Sequence, residues 1–262
     1  MGKYFITALL VLACATMAYA APVGLTSEAD LKKAELWADK EIGITAAIIY
    51  DAVTERKIDF DGAEFEMNAA LARIGVSILD RFNVYVDVGQ ATDMEYKYVI
   101  QGEKYTAKFD DELMYGVGVN ALIYRWDNGL EIGASANYRI AEMNIDKVTI
   151  DSNTYQKNDL TEVQSGDYEE TQVALEVAYK TEYFAPYLGV KYSEVDLGTK
   201  FTAGGAERDA SGQSSQEVIG VFAGVTITPM LDGIAKSDRI AINIEGRFID
   251  EEAISVGMSY KF

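Results

Sequence analysis

Residues 239–262 read RIAINIEGRFIDEEAISVGMSYKF. Two runs in this stretch alternate with period two, the pattern of extended chain whose two faces meet different surroundings. In the first run, Ile240, Ile242, Ile244 and Phe248 oppose Arg239, Asn243, Glu245 and Arg247. In the second, Ile254, Val256, Met258, Tyr260 and Phe262 oppose Ala253, Ser255, Gly257, Ser259 and Lys261. A strand of a soluble protein alternates too. Its chain end, however, is ordinarily polar and frayed, whereas this run stops on an aromatic ring.

The opposite end supplies a reason. MGKYFITALLVLACATMAYAAPVG has a basic residue at Lys3 and an apolar stretch from Tyr4 to Met17. Small residues follow at Ala18 and Ala20, the pattern of an export signal cut after residue 20. Two other readings stay open: an uncleaved anchor helix, and a lipoprotein processed at Cys14 after Val11-Leu12-Ala13. Cleavage after Ala20 removes Cys14, the single cysteine, and with it disulfides and thiolate metal sites. Residues 21–40 are then a periplasmic lead-in, either extended or a short helix capped by Ser27 or Asp30. Residues 41–262 form the main domain.

Acidic residues outnumber basic ones 42 to 23, a net charge of -19, so nucleic acid is not an expected partner. Beyond the leader no apolar run is long enough for a membrane helix, so any crossing requires a closed barrel. Ten strands are expected, at about 41–53, 67–78, 82–91, 112–124, 130–141, 170–180, 185–195, 216–228, 239–248 and 253–262. Eight or twelve remain possible if a loop hairpin is misassigned. Short connections (79–81, 125–129, 181–184) alternate with long ones (92–111, 142–169, 196–215), as in barrels with periplasmic turns and extracellular loops. The alternation weakens at 229–238, long for a turn, and at 249–252, short for a loop.

The same opposition of faces recurs along the chain. Phe82, Val84, Val86 and Val88 oppose Asn83, Tyr85 and Asp87; Val173, Leu175, Val177 and Tyr179 oppose Gln172, Glu176 and Lys180. An Arg or Lys facing mid-membrane lipid costs roughly 2–4 kcal/mol, so the apolar face must look outward. The inward set is then Arg73, Asp87, Glu131, Arg139, Glu176, Lys180, Lys191, Glu245 and Arg247, either a polar pore lining or a salt-bridged plug. Width grows with strand number, and ten strands favour the plug. Aromatics fall at two levels: Phe82, Tyr124, Trp126, Tyr179 and Phe184 at the turn end, and Tyr50, Tyr115, Tyr138, Tyr192 and Phe248 at the loop end. Such rings suit lipid headgroups.

Among the loops, 93–110 alternates like a hairpin about Gln101-Gly102. The 142–170 stretch is acidic, with Asp146, Asp151, Asp159, Glu162, Asp167, Glu169 and Glu170, but lacks the spacing and glycine of a calcium loop and reads as solvated surface. FTAGGAERDASGQSSQ (201–216) reads as a mobile segment. Histidine is absent, which removes the commonest general base and the commonest transition-metal ligand. No cofactor, metal or catalytic group is expected.

The ending Val256, Met258, Tyr260, Phe262 resembles the carboxyl-terminal signal read by the barrel-assembly machinery of Gram-negative bacteria. With the leader and the loop alternation, the chain is similar to small outer-membrane β-barrel proteins of the opacity, OmpA-transmembrane or OmpW-like kind. The resemblance implies an all-β, closed antiparallel up-and-down transmembrane barrel, outer-membrane lipid as its surroundings, and that machinery as a partner in biogenesis. Barrels of the omptin kind act through a histidine-containing site, which this sequence does not carry. The expected role is a non-enzymatic structural or surface-interaction barrel, with a small porin-like channel as the alternative. Surface partner and oligomeric state are unread.

Overall fold

The computed structural model describes residues 42–262 except 61, 80, 101, 165, 182, 199, 204–205, 210–211 and 229–238; the expected cleavage site at Ala18 and Ala20 and the lead-in lie outside them. The strands begin β1 (Ile42–Ile58), β2 (Ala63–Ile78), β3 (Phe82–Ile100), β4 (Glu103–Phe109), β5 (Glu112–Arg125) and β6 (Leu130–Met143). They continue β7 (Ile145–Ile150), β8 (Asn153–Gln156), β9 (Thr161–Gln164), β10 (Gly166–Tyr179), β11 (Phe184–Leu197) and β12 (Lys200–Ala203). The last are β13 (Ala206–Asp209), β14 (Gln213–Ser214), β15 (Ile219–Ile227), β16 (Ile240–Phe248) and β17 (Glu251–Lys261).

Ten of these form one antiparallel wall in the order β1-β2-β3-β5-β6-β10-β11-β15-β16-β17, and β17 pairs with β1 to close it. Each wall strand neighbours the next along the chain, so the barrel is up-and-down, and closure leaves the wall no free edge. Thr45 opposes Lys261, and the Phe262 amide donates to the Ile44 carbonyl at 2.9 Å, which places the last residue at the short-turn end beside the start of β1.

Burial along the wall is inverted relative to a soluble protein. Ile74 is 62% exposed, Val86 54% and Leu188 65%, while Arg73, Asp87, Asn120 and Glu245 are buried. A closed wall whose apolar residues face out and whose charges face in is the arrangement of a transmembrane β-barrel, because hydrocarbon tolerates neither free backbone groups nor bare charge.

The loop end departs from expectation. Residues expected as long connections carry strands of their own. β3 runs on to Ile100, turns at Gly102 (φ +90°), and pairs with β4; β4 pairs with β7 and β7 with β8. The expected hairpin about Gln101-Gly102 is thus present, but its return strand leaves β5 and joins β7. The acidic stretch read as a solvated loop contains β7, β8, a single 3-10 turn (Lys157–Asp159) and β9. The segment read as mobile forms β12 and β13, which pair with each other, and β12 pairs with β9. Backbone groups account for the difference. Polar and charged side chains suit solvent, yet each buried N–H and C=O still requires a partner, and strand pairing supplies it.

Candidate functional site

The lumen holds the buried charges of the wall, and it falls into levels. Toward the loop end lies a buried apolar cluster that includes Phe65, Met67, Tyr96, Tyr98, Tyr105, Met143 and Tyr168. Phe65 of β2 stacks on Tyr168 of β10 with ring centroids 5.6 Å apart. These strands lie four places apart in the ring of ten, so the stack reaches across the lumen.

A register shift between Val53 and Glu55 changes which residues of β1 point inward: Asp51 and Val53 before it, Arg56 and Ile58 after it. The tip of the β1–β2 hairpin leans over the mouth as a result. Ile58 bridges to Ser215, the Asp59 amide donates to the Ser214 carbonyl at 2.8 Å, and the Gln216 amide donates to the Lys57 carbonyl at 3.0 Å. Ser215 in turn donates its amide to Val195 of β11, so backbone hydrogen bonds tie the hairpin tip to the far wall.

Beneath the cluster sits a charged layer. Arg56 is 2% exposed; its Nη2 donates to Glu170 Oε1 (3.1 Å), to Ser193 Oγ (3.1 Å) and to Glu251. β1 and β10 stand five places apart, on opposite sides of the ring, so this guanidinium spans the diameter. Arg247 reaches Asp51 and Glu251, each at 2.6 Å; Arg139 reaches Glu170 at 2.6 Å and Asp51 at 3.2 Å; Lys191 reaches Asp250 at 2.6 Å and also Glu251. Six wall strands are cross-linked in this way. Attraction between such charges works against their desolvation, and all but Asp250 have more than one partner.

Below and to one side, Tyr187 donates to Glu245 Oε2 at 3.0 Å and packs with Phe222. Gly224 makes this possible, since a Cβ there would stand 2.3 Å from the Tyr187 hydroxyl oxygen. Arg73 grips Asp87 through two hydrogen bonds of 2.8 and 2.9 Å and lies 3.5 Å over the Tyr85 ring. At the turn-end mouth Arg125 donates to Glu131 at 2.7 Å beside a cavity of 460 Å³ that Lys180 also lines.

The nine charges expected inside are therefore distributed over several levels. Arg139, Lys191, Glu245 and Arg247 lie in or next to the cross-lumen layer, Arg73 and Asp87 form their own pair, Glu176 is buried beside Glu245 and Tyr187, and Glu131 with half-buried Lys180 occupies the mouth. Sequence reading missed Asp51, Arg56, Asp250 and Glu251. Glu170, assigned there to the solvated loop, is 1% exposed in the lumen; that assignment is corrected. Parity with the inward face marks Asp51 in the sequence, but the bulge hides Arg56, and the 249–252 connection hides Asp250 and Glu251.

The expected aromatics face away from the lumen, except Trp126, which also lines the cavity at the turn-end mouth. Phe82, Tyr124, Trp126, Tyr179 and Phe184 are exposed near the short turns; Tyr115, Tyr138, Tyr192 and Phe248 are exposed toward the loops, with Tyr50 half-buried. On β17, Val256, Met258 and Tyr260 lie half-buried and Phe262 exposed on the outer face. Among the described residues no group of three or more carboxylate, cysteine or histidine side chains is placed to hold a metal.

No protein-family model and no curated protein matches the chain. Solved structures resemble it in barrel form. The outer membrane protein OprG from Pseudomonas aeruginosa is 11% identical, with 84% of this chain and 95% of that one covered and a TM-score of 0.37. The translocator domain of autotransporter NalP from Neisseria meningitidis is 8% identical over 84% and 88%, with a TM-score of 0.44. The outer membrane protease OmpT from Escherichia coli is 9% identical over 84% and 95%, with a TM-score of 0.40.

Proposed function

We propose that this chain is a non-enzymatic outer-membrane barrel which anchors its loop-end sheets at the cell surface and keeps its lumen closed to solutes. The observation that carries the reading is the Arg56–Glu170 contact across the barrel diameter, under an apolar cluster and a hairpin tip bonded to the far wall. A channel would need a path through all three. The two tiers of outward aromatics are read as interfacial girdles in outer-membrane lipid. Residues 1–20 are read as the export signal cleaved after Ala20, and Val256, Met258, Tyr260 and Phe262 as the assembly signal.

Charge supports the surface role. Leaving out Arg56, Glu170, Asp250 and Glu251, which lie buried in the lumen, segments 52–68, 90–113, 141–170, 193–218 and 249–252 hold 24 acidic and eight basic residues, a net of -16 out of -19. The loop end therefore presents a strongly negative face that repels anionic molecules and attracts cationic ones. The absence of histidine from the sequence supports the non-enzymatic part.

The test combines location with flux. Detergent extracts of outer membranes should contain a band that shifts on boiling and starts at Ala21, and protease added to intact cells should cut it at the loop end. Proteoliposomes carrying the folded barrel should not swell in an isosmotic sugar solution. Swelling at a rate proportional to barrel content would reject the closed lumen; recovery in the soluble fraction would reject the membrane address.

A further inference from the structure

We propose that the turn-end half of the lumen is a hydrated binding cup for small uncharged hydrogen-bonding solutes, entered only from the short-turn mouth. Ser77, Asn83, Asn120 and Ser135 are successive register partners across β2, β3, β5 and β6, so they form one row on the inner wall. All four are buried, at 1 to 5% exposure. Thr45 donates to Asn83 Oδ1 at 3.3 Å. Ser77 Oγ, Asn83 Nδ2, both amide atoms of Asn120 and Ser135 Oγ have no partner among the described residues.

A dry wall would leave each of these groups stripped of water without compensation, a penalty that native interiors avoid. Two hydroxyls and two carboxamides side by side offer donors and acceptors without charge, the chemistry that binds water and small polyols. The row lies inward of the cavity at the mouth, along the same strands. Leu122, two residues on from Asn120, and Glu131, four before Ser135, both line the 460 Å³ cavity with Leu79, Arg81 and Trp126. Its roof is the Arg73–Asp87 pair over Tyr85, a ring that lies close because a Cβ at Gly118 would stand 2.3 Å from its hydroxyl oxygen. Above that roof the cross-lumen charges stop further passage, and in this the cup rests on the closed-lumen reading.

A chain starting at Ala21 contains no cysteine, which makes a single introduced thiol readable. Ser135→Cys and, as a control in the apolar cluster, Met143→Cys are inserted into vesicles in one orientation, checked by proteolysis of the loop end. A membrane-impermeant methanethiosulfonate is then supplied from one side at a time. From the turn-end side Ser135→Cys should react at least about tenfold faster than Met143→Cys, and glycerol at molar concentration on that side should slow it. From the loop side neither should react. Equal rates for the two thiols would overturn the hydrated cup, and no effect of glycerol would overturn the solute site. Reaction of Ser135→Cys from the loop side would instead overturn the closed lumen. A second variant guards against misfolding. Asn120→Leu should lower the urea midpoint if the row is wet, and a raised midpoint would show a dry wall and refute the cup.

Discussion

The two halves of one lumen are built from opposite materials. Toward the loops the interior is aromatic and methionine-rich above a layer of charges paired across the lumen; toward the turns it is a row of hydroxyls and carboxamides inward of a cavity. Both halves lie inside the same ten-stranded wall, so strand number alone does not decide whether a barrel is filled. Side-chain size and charge pairing do. Where long cations meet several carboxylates, the diameter is bridged; the row of short polar side chains makes no such bridge.

Substitutions can weaken that contrast by different amounts. The largest loss is expected from Arg56→Ala, which leaves Glu170 and Glu251 without their shared cation: about 3–5 kcal/mol, read as a fall in urea midpoint of the refolded barrel. A loss below 1 kcal/mol would mean that the charged layer is water-accessible and the two halves are alike. Next comes Val86→Arg on the lipid face, expected to cost roughly 2–4 kcal/mol in a bilayer. The same change should matter little if that face met water, so it tests the inversion of the wall itself.

Gly224→Ala places a methyl group against the Tyr187 hydroxyl and should cost about 1–3 kcal/mol, whereas Gly102→Ala, with open space around it, is opposed only by its turn conformation. Comparing the two midpoints shows whether the wall near Tyr187 is packed tightly. The smallest effect is electrostatic and lies in the extension beyond the membrane. Burial pushes the Glu95 carboxyl up, but Lys108 and Lys97 outweigh it and hold the group below its ordinary 4.5. A depressed carboxylate stabilises the fold above its unfolded value and loses that contribution as pH falls through the lower folded one. Titration below pH 4.5 should therefore loosen β3–β4 by less than about 1 kcal/mol, as faster amide exchange there, and Glu95→Gln should abolish the dependence.

The wall was legible because its signal repeats. Alternation between hydrocarbon and a polar interior is enforced in strand after strand, and a one-residue slip would turn Arg73, Glu176 or Arg247 toward lipid. The strand count of ten, the short turns and the inward set could be read from that periodicity. Other features resisted for separate physical reasons. Arg56 lies beyond a bulge that changes parity, so a period-two reading directs it the wrong way. Glu170 looks like its solvated neighbours Asp167 and Glu169; its parity with Gln172 and Glu176 points inward, and its pairing with Arg56 and Arg139 fixes it there. The strands of the loop-end extension are polar, carry little lipid-facing signal, and depend on partners distant in sequence, as β4 depends on β7.

Whether the charged, apolar and hydrogen-bonded levels together close the barrel is decided most directly by planar-bilayer recording of the refolded, heat-modifiable wild-type protein. A closed lumen gives an electrically silent membrane over long recordings with insertion verified independently. Steady unit conductance from that same preparation, altered when Arg139 or Glu245 is neutralised, would contradict it.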